Sequence, residues 1–232
     1  MLELFPEGFE ELDHPDGVEL IAYTDDAGEE RLWAAFGEIT AEGVAAGWEE
    51  RWREFHRPVR IGRLWVGPPW ERPPVGTEAI VVDPGRAFGT GGHATTRLCL
   101  ELIAGLERGS LLDVGCGSGV LAIGAARLGF DPVTALDHDA AAVEATRRNA
   151  AANGVAIDCR RADALSEPLP PAHVAVANIS TEAVERLLPR LDAKTIVTSG
   201  YLEGDLPRCE GFRRERRRTE SGWAADVFRR EE

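Results

Sequence analysis

The run SLLDVGCGSG over residues 110–119 carries an aspartate, Asp113, and then glycines at alternate positions, Gly115, Gly117 and Gly119. Leu111, Leu112 and Val114 lead into it as a strand, and VLAIGAARLG follows at once as a helical pattern. A strand ending in such a turn lets the backbone approach a ligand where any Cβ would collide. The helix behind it aims its N-terminal amides at the same place. Dinucleotide folds use G-x-G-x-x-G, whereas here the third glycine comes one residue early. The second polar contact comes at the end of PVTALDHD, where Asp137 lies 22 positions after Gly115. An acidic residue about 20 positions on, at the tip of the second strand, can accept hydrogen bonds from both hydroxyls of a ribose. Asp139 competes for that role but fits better as the cap of a helix reading from residue 140. A third strand, AIDCRRAD, ends in Asp163, either an adenine contact or a loop aspartate in solvent.

Two more stretches bear chemistry. DPGRAFGTGGHATTRLCLELIAGL, residues 83–106, is a glycine-rich loop containing Phe88, Gly89, Gly91, Gly92 and His93. Thr95 or Thr96 then opens a helix with Leu98, Leu102, Ile103 and Leu106 on its apolar face. AVANIS, residues 175–180, is a strand ending in Asn178. Ligands of open α/β sheets bind beyond the carboxyl ends of strands, near the switch in strand order. An Asn carbonyl oxygen there can accept a hydrogen bond from an amine nucleophile, although the same residue also suits a helix-starting turn.

The elements that must position these groups are legible in outline. Residues 1–45 form a small α+β unit: FEELD and GVELIAYTD as two strands, DAGEERLWAAFG as a helix and ITAEGVA as a last strand. Residues 46–76 read as a Trp/Pro-rich linker, with a helix carrying Trp48 and Trp52 and a strand at RLWVGPPW. Residues 77–232 form the principal domain. Strands near 110–116, 132–138, 156–162, 173–179 and 194–200 alternate with helices, which predicts a parallel sheet covered on both faces. GFRRERRRTE and WAADVFRR have no helix between them and read as an antiparallel hairpin at the sheet edge. The expected fold is α/β, a doubly wound, seven-stranded, mostly parallel sheet with a small α+β N-terminal domain.

Composition narrows the function classes. The chain has 232 residues, 44% hydrophobic and 28% charged, ordinary for a soluble globular protein. No apolar run approaches the ~20 residues that cross a bilayer, and MLELFPEGFEELD lacks the basic and apolar regions of a secretory signal. Cys99, Cys116, Cys159 and Cys209 have no paired spacing and read as free thiols, with no metal site. A net charge of −14 repels a phosphate backbone and attracts a basic partner. Arg213, Arg214, Arg216, Arg217 and Arg218 read as the solvated face of an edge strand.

An acidic residue two places before G-x-G-x-G resembles the first motif of class I S-adenosylmethionine methyltransferases, a Rossmann-like fold. FGTGGHATT, LLDVGCGSGVLAI, ALDHD and VANIS, in that order, resemble the ribosomal protein L11 methyltransferase family over residues 46–232. The resemblance implies S-adenosyl-L-methionine as cofactor. It implies cofactor contacts at Thr96, Gly115, Asp137 and Asn178, with Thr95, Asp113, Gly117, Gly119 and Asp163 as further candidates. Phe88, Gly91 and His93 would belong to a loop closing over the methionine moiety. The reaction implied is displacement by an amine, oriented by Asn178, with His93 as a candidate proton relay. The acceptor implied is a lysine or α-amino group of a basic protein, a ribosomal protein above all. No direct nucleic-acid or membrane partner is expected, and a monomer acting in the cytoplasm is. The front unit, β-β-α-β, lacks the first strand and helix of the family's split βαβ domain. Another protein or small-molecule nitrogen, or a non-catalytic cofactor-binding module, therefore remain alternatives. Asn178-Ile179-Ser180 departs from the N-P-P-[YF] of glutamine-methylating relatives.

Overall fold

The computed structural model describes residues 10–14, 17–21, 26–37, 39–40, 57–83, 91–208 and 211–231. The chain divides into two units, Met1–Glu54 and Phe55–Glu232. In the first, β1 (Glu10–His14) and β2 (Gly17–Ile21) form an antiparallel hairpin, and α1 (Asp26–Phe36) follows. Gly37, at φ 79°, closes that helix by donating to the Trp33 carbonyl. The predicted last strand falls mostly outside the described residues; Ile39 and Thr40 carry no regular structure.

The second unit opens with a small sheet of β3 (Val59–Ile61), β4 (Leu64–Gly67) and β5 (Glu78–Val81). The described part of the expected linker is thus folded structure. Ile61, Leu64, Val66 and Ile80 enter the same apolar core as α2 (Ala94–Ala104) and α3 (Val120–Leu128). Trp and Pro gave residues 46–76 their linker appearance, yet Leu64, Trp65 and Val66 within them are buried. The expected helix with Trp48 and Trp52 lies outside the described residues.

The large sheet contains β6 (Leu111–Val114), β7 (Val133–Asp137), β8 (Asp158–Arg161), β9 (Ala172–Asn178), β10 (Ala193–Leu202), β11 (Phe212–Glu220) and β12 (Trp223–Arg230). Its order is β11-β12-β10-β9-β6-β7-β8. Strands β6 to β10 pair in parallel, and β12 and β11 complete it antiparallel. All four residues of β6 are buried, as a strand covered on both faces requires. One face packs on α2 and α3 through Leu98, Leu102, Val120 and Ile123. The other carries Leu112, Val114, Tyr201 and Phe228 against α5 (Thr181–Leu187). Helix α4 (Ala140–Ala152) anchors the approach to the glycine-rich loop. Asn153, just after it, accepts from the Val81 amide at 2.8 Å, and Asn149 accepts from the Asp83 amide at 3.3 Å.

The arginine-rich strand is β11, the sheet edge, and Arg213, Arg216 and Arg218 are exposed on it. These three form the solvated face expected of an edge strand. Arg214 and Arg217 turn inward to Asp226 of β12, at 3.2 and 3.0 Å. Asp226 is fully buried and also accepts from the Tyr201 hydroxyl. A buried carboxylate needs such cationic partners to offset lost hydration.

Candidate functional site

The order of the sheet reverses at β6, which lies between β9 and β7, so the carboxyl ends of these strands surround the switch point. The glycine turn sits there. Gly115, Gly117 and Gly119 all have positive φ, at 76°, 54° and 82°. A Cβ on Gly115 would lie 2.7 Å from Ile179 Cγ2, and one on Gly119 2.7 Å from Thr146 Cγ2. Within residues 111–122 only Gly115 and Gly117 escape burial. The surface offered to a ligand is therefore bare backbone. The turn is tied down from behind by the Gly115 and Cys116 amides, which donate to the Leu136 carbonyl at 2.8 and 3.0 Å.

Asp113 lies beneath this surface instead of on it. It is fully buried, and Oδ2 accepts from the Ala122 amide in the first turn of α3 at 3.0 Å. Burial pushes its carboxyl up to about 7. The structure thus gives the first acidic residue of the motif a supporting place, where sequence reading expected a direct contact.

Asp137 ends β7 and reaches back over the turn. Its Oδ2 accepts from the Gly117 amide at 3.0 Å and Oδ1 from the Asp139 amide at 3.0 Å. Each carboxylate oxygen keeps further lone-pair capacity, so the residue can hold the turn and still accept from a ligand. Asp139 caps α4, accepting from the Ala141 amide at 2.9 Å, as its position before an alanine-rich helix implies. Asp163 is exposed beyond the end of β8. It accepts from the Leu165 amide and the Ser166 hydroxyl, at 2.9 and 2.7 Å. Those hydrogen bonds, the Ser166 one foremost, hold its carboxyl below the usual range.

Across the switch point three of the candidates meet. Asn178 Nδ2 donates to Thr95 Oγ1 at 3.1 Å, and Thr95 Oγ1 is 2.7 Å from His93 Nδ1. His93 is the cap of α2, its Nδ1 accepting from the Thr95 amide at 3.4 Å. This corrects the expectation that Thr95 or Thr96 opens the helix: both are buried in its first turn. A ring nitrogen that accepts from an amide carries no proton, so the Thr95 hydroxyl donates to it. Burial, reinforced by the Arg97 guanidinium, lowers the His93 pKa and favours that neutral ring. Thr95 then has an oxygen lone pair for Asn178 Nδ2, and Asn178 Oδ1 is the amide atom left facing away from Thr95. Thr96 Oγ1 is buried with no hydrogen-bond partner among the described residues. Gly91, at φ 88°, packs where a Cβ would run into Val66. Phe88 lies outside the described residues.

Sequence reading missed the residues that hold this group from outside. The β11–β12 turn clasps the start of α2: Arg97 pairs with both oxygens of Glu220, at 2.8 to 3.2 Å, and His93 meets the Trp223 ring edge-on, with centroids 4.8 Å apart. Gly200 of β10, at φ 99°, presses on the backbone of Ile179, directly after Asn178. The isolated glycine inside the strand pattern TSGYL was the available signal.

Among the described residues no group of three or more His, Cys, Asp or Glu could hold a metal ion, and no helix is long and apolar enough to cross a membrane. Residues 18–225 match the family model described as ribosomal protein L11 methyltransferase (PrmA). The chain is 40% identical over 205 residues to the ribosomal protein L11 methyltransferase of Pelobacter propionicus, covering 79% of this chain and 66% of that one. It is 41% identical over 174 residues to that of Legionella pneumophila (strain Lens), covering 69% and 58%. Less than two thirds of the length of these curated relatives is therefore spanned. Among solved structures, the ribosomal protein L11 methylase of Lactobacillus delbrueckii subsp. bulgaricus superposes with a TM-score of 0.69 at 31% identity, over 76% of this chain and 100% of that one.

Proposed function

The chain belongs to the ribosomal protein L11 methyltransferase family, and from that premise we propose that it is an S-adenosylmethionine-dependent protein N-methyltransferase acting on amines of ribosomal protein L11. The single observation that carries the chemistry is the pairing of a Cβ-free turn, Gly115 to Gly119, with Asn178 across the switch point. The residues fit the cofactor. Bare backbone at Gly115 and Gly117 accommodates a close ligand, and Asp137 at the adjoining strand tip suits a ribose diol. When bound, S-adenosylmethionine would supply an electrophilic methyl carbon for an uncharged amine nitrogen to attack, the carbon–sulfur bond breaking and S-adenosylhomocysteine leaving.

This chain's own residues do the remaining work. A lysine amine has a pKa near 10.4 in water, and burial in a closed site favours its neutral form. Asn178 Oδ1 accepts a hydrogen bond from that amine and aims its lone pair. The His93–Thr95 pair fixes which way the amide faces, because Nδ2 is spent on Thr95. Correct aim removes an entropic barrier that reaches roughly 7–11 kcal/mol in model systems. His93 Nδ1 is committed to the start of α2, so the ring's contribution through that atom is to position.

Incubation of the purified chain with methyl-labelled S-adenosylmethionine and purified L11 tests the reading. Label on L11 amines supports it. Label on other proteins or small molecules redirects the acceptor, and cofactor binding without transfer removes the activity. Asp137→Ala is expected to weaken cofactor binding by roughly 1.5–3 kcal/mol, about ten- to a hundredfold, as loss of charge-assisted hydrogen bonds requires. Calorimetry checks this, and unaltered affinity takes Asp137 out of the site.

A further inference from the structure

The connection leaving β10 is held with unusual firmness. Asp205 Oδ2 accepts from the Leu202 amide at 3.1 Å and from Thr181 Oγ1 at 3.4 Å. Arg217 Nη2 donates to the carbonyls of Glu203 and Asp205, at 2.8 and 2.7 Å, while its Nη1 holds the buried Asp226 at 3.0 Å. The Glu203 amide donates to the Gly222 carbonyl at 2.8 Å, and Arg208 donates its amide to Glu185 at 3.0 Å. A surface connection so pinned nevertheless exposes two leucines, Leu202 at 54% and Leu206 at 62%. Among the described residues of the second unit, Val75 is the one other large hydrophobic residue so exposed, so the apolar surface is concentrated here.

The place matters as much as the exposure. β10 neighbours β9 in parallel, and Ser199 pairs with Asn178. Residues 202–206 therefore stand at the same end of the sheet as the amide proposed to aim the acceptor amine, and Thr181 ties the two together. Glu203, next in the chain to Leu202, and Glu182, next to Thr181, are both exposed, on a chain of net charge −14.

We propose that residues 202–206 form a docking rim for the protein acceptor. Leu202 and Leu206 receive apolar side chains of the segment flanking the target amine, and Glu203 and Glu182 draw in its basic ones. The inference rests on the amine-methylation reading above and adds the surface that selects a protein over a free amine. Charge complementarity and continuity with Asn178 single out this occupant. A loop already ordered by Arg217 and Asp205 loses little freedom when a partner lands on it.

The test is the full-length Leu202→Ser/Leu206→Ser double variant, assayed by methyl transfer to purified L11. KM for L11 is expected to rise about fivefold or more, the effect of losing contacts worth over about 1 kcal/mol. At saturating L11, kcat should stay, as should KM for S-adenosylmethionine and the melting temperature. An unchanged KM for L11, or a loss confined to kcat, overturns the rim. A photo-crosslinking residue at position 206 separates this from failure of the reaction itself. Capture of purified L11 without methyl transfer keeps the rim and overturns the amine-methylation reading. Transfer without capture does the reverse, and absence of both overturns both.

Discussion

Asn178→Ala is expected to lower kcat about a hundredfold, while the affinity for S-adenosylmethionine stays within about threefold. A misplacement of 1 Å at a reacting centre costs about that much, and here the group proposed to do the placing is removed outright. Asn178 ends β9, half-exposed, with one amide atom anchored on Thr95 at 3.1 Å and the other directed away from it. Its removal leaves the glycine turn and Asp137, on β6 and β7, untouched. Steady-state kinetics with calorimetry on the same preparation decides the matter, because loss of a transition-state interaction lowers kcat without raising the dissociation constant. Equal losses in both would make Asn178 a cofactor ligand and leave the amine without its guide. Thr95→Val gives a graded version. The amide of Asn178 remains but loses its anchor, and a fall of about tenfold is expected.

The half of the site that rests on local rules was legible in the chain itself. Alternate glycines after a buried strand have one economical conformation, and all three adopt positive φ. Asp137 and Asp139 separate because a helix start follows the second and not the first, and the structure has Asp139 capping α4. The half that rests on distant contacts was not legible. His93, and not Thr95 or Thr96, caps α2, and the Trp223 ring packed against it lies 130 positions away in the chain. Arg214 and Arg217 look like any edge-strand arginines until Asp226, on the neighbouring strand, supplies a buried countercharge. The strand in RLWVGPPW was legible, but not that Leu64 and Val66 would share a core with α2 and α3. Local propensity cannot carry such information, since each placement is decided by a partner that the window of neighbouring residues does not contain.

Gly200→Ala tests the most consequential of these unseen contacts. A strand interior is a costly place for glycine, so the residue must meet a steric demand. The demand comes from Ile179: φ at Gly200 is 99°, and a Cβ would sit 2.7 Å from the Ile179 carbonyl carbon and 2.8 Å from its nitrogen. These are backbone atoms, which cannot swing aside like the end of a side chain. The register between β10 and β12 also shifts between Ser199 and Tyr201, so the strand is already bent at this point. Alanine is forced into a left-handed conformation against Ile179 and pushes residues 178–180 outward. The first costs about 2–4 kcal/mol, as strain and overpacking together do, and lowers the melting temperature by roughly 4–16 °C for a chain of this size. The second moves Asn178 relative to Thr95 and costs turnover about a hundredfold. Both effects are expected at once, with kcat measured well below the new melting temperature so that unfolded protein does not contribute. Gly105→Ala is the control. Its φ is −90° and its nearest non-bonded atoms would be 3.6 Å from the new Cβ, so stability should change by less than about 1 kcal/mol and turnover not at all. If Gly200→Ala proves as mild as Gly105→Ala, the wall behind Asn178 is compliant, and the aim of the acceptor amine does not depend on it.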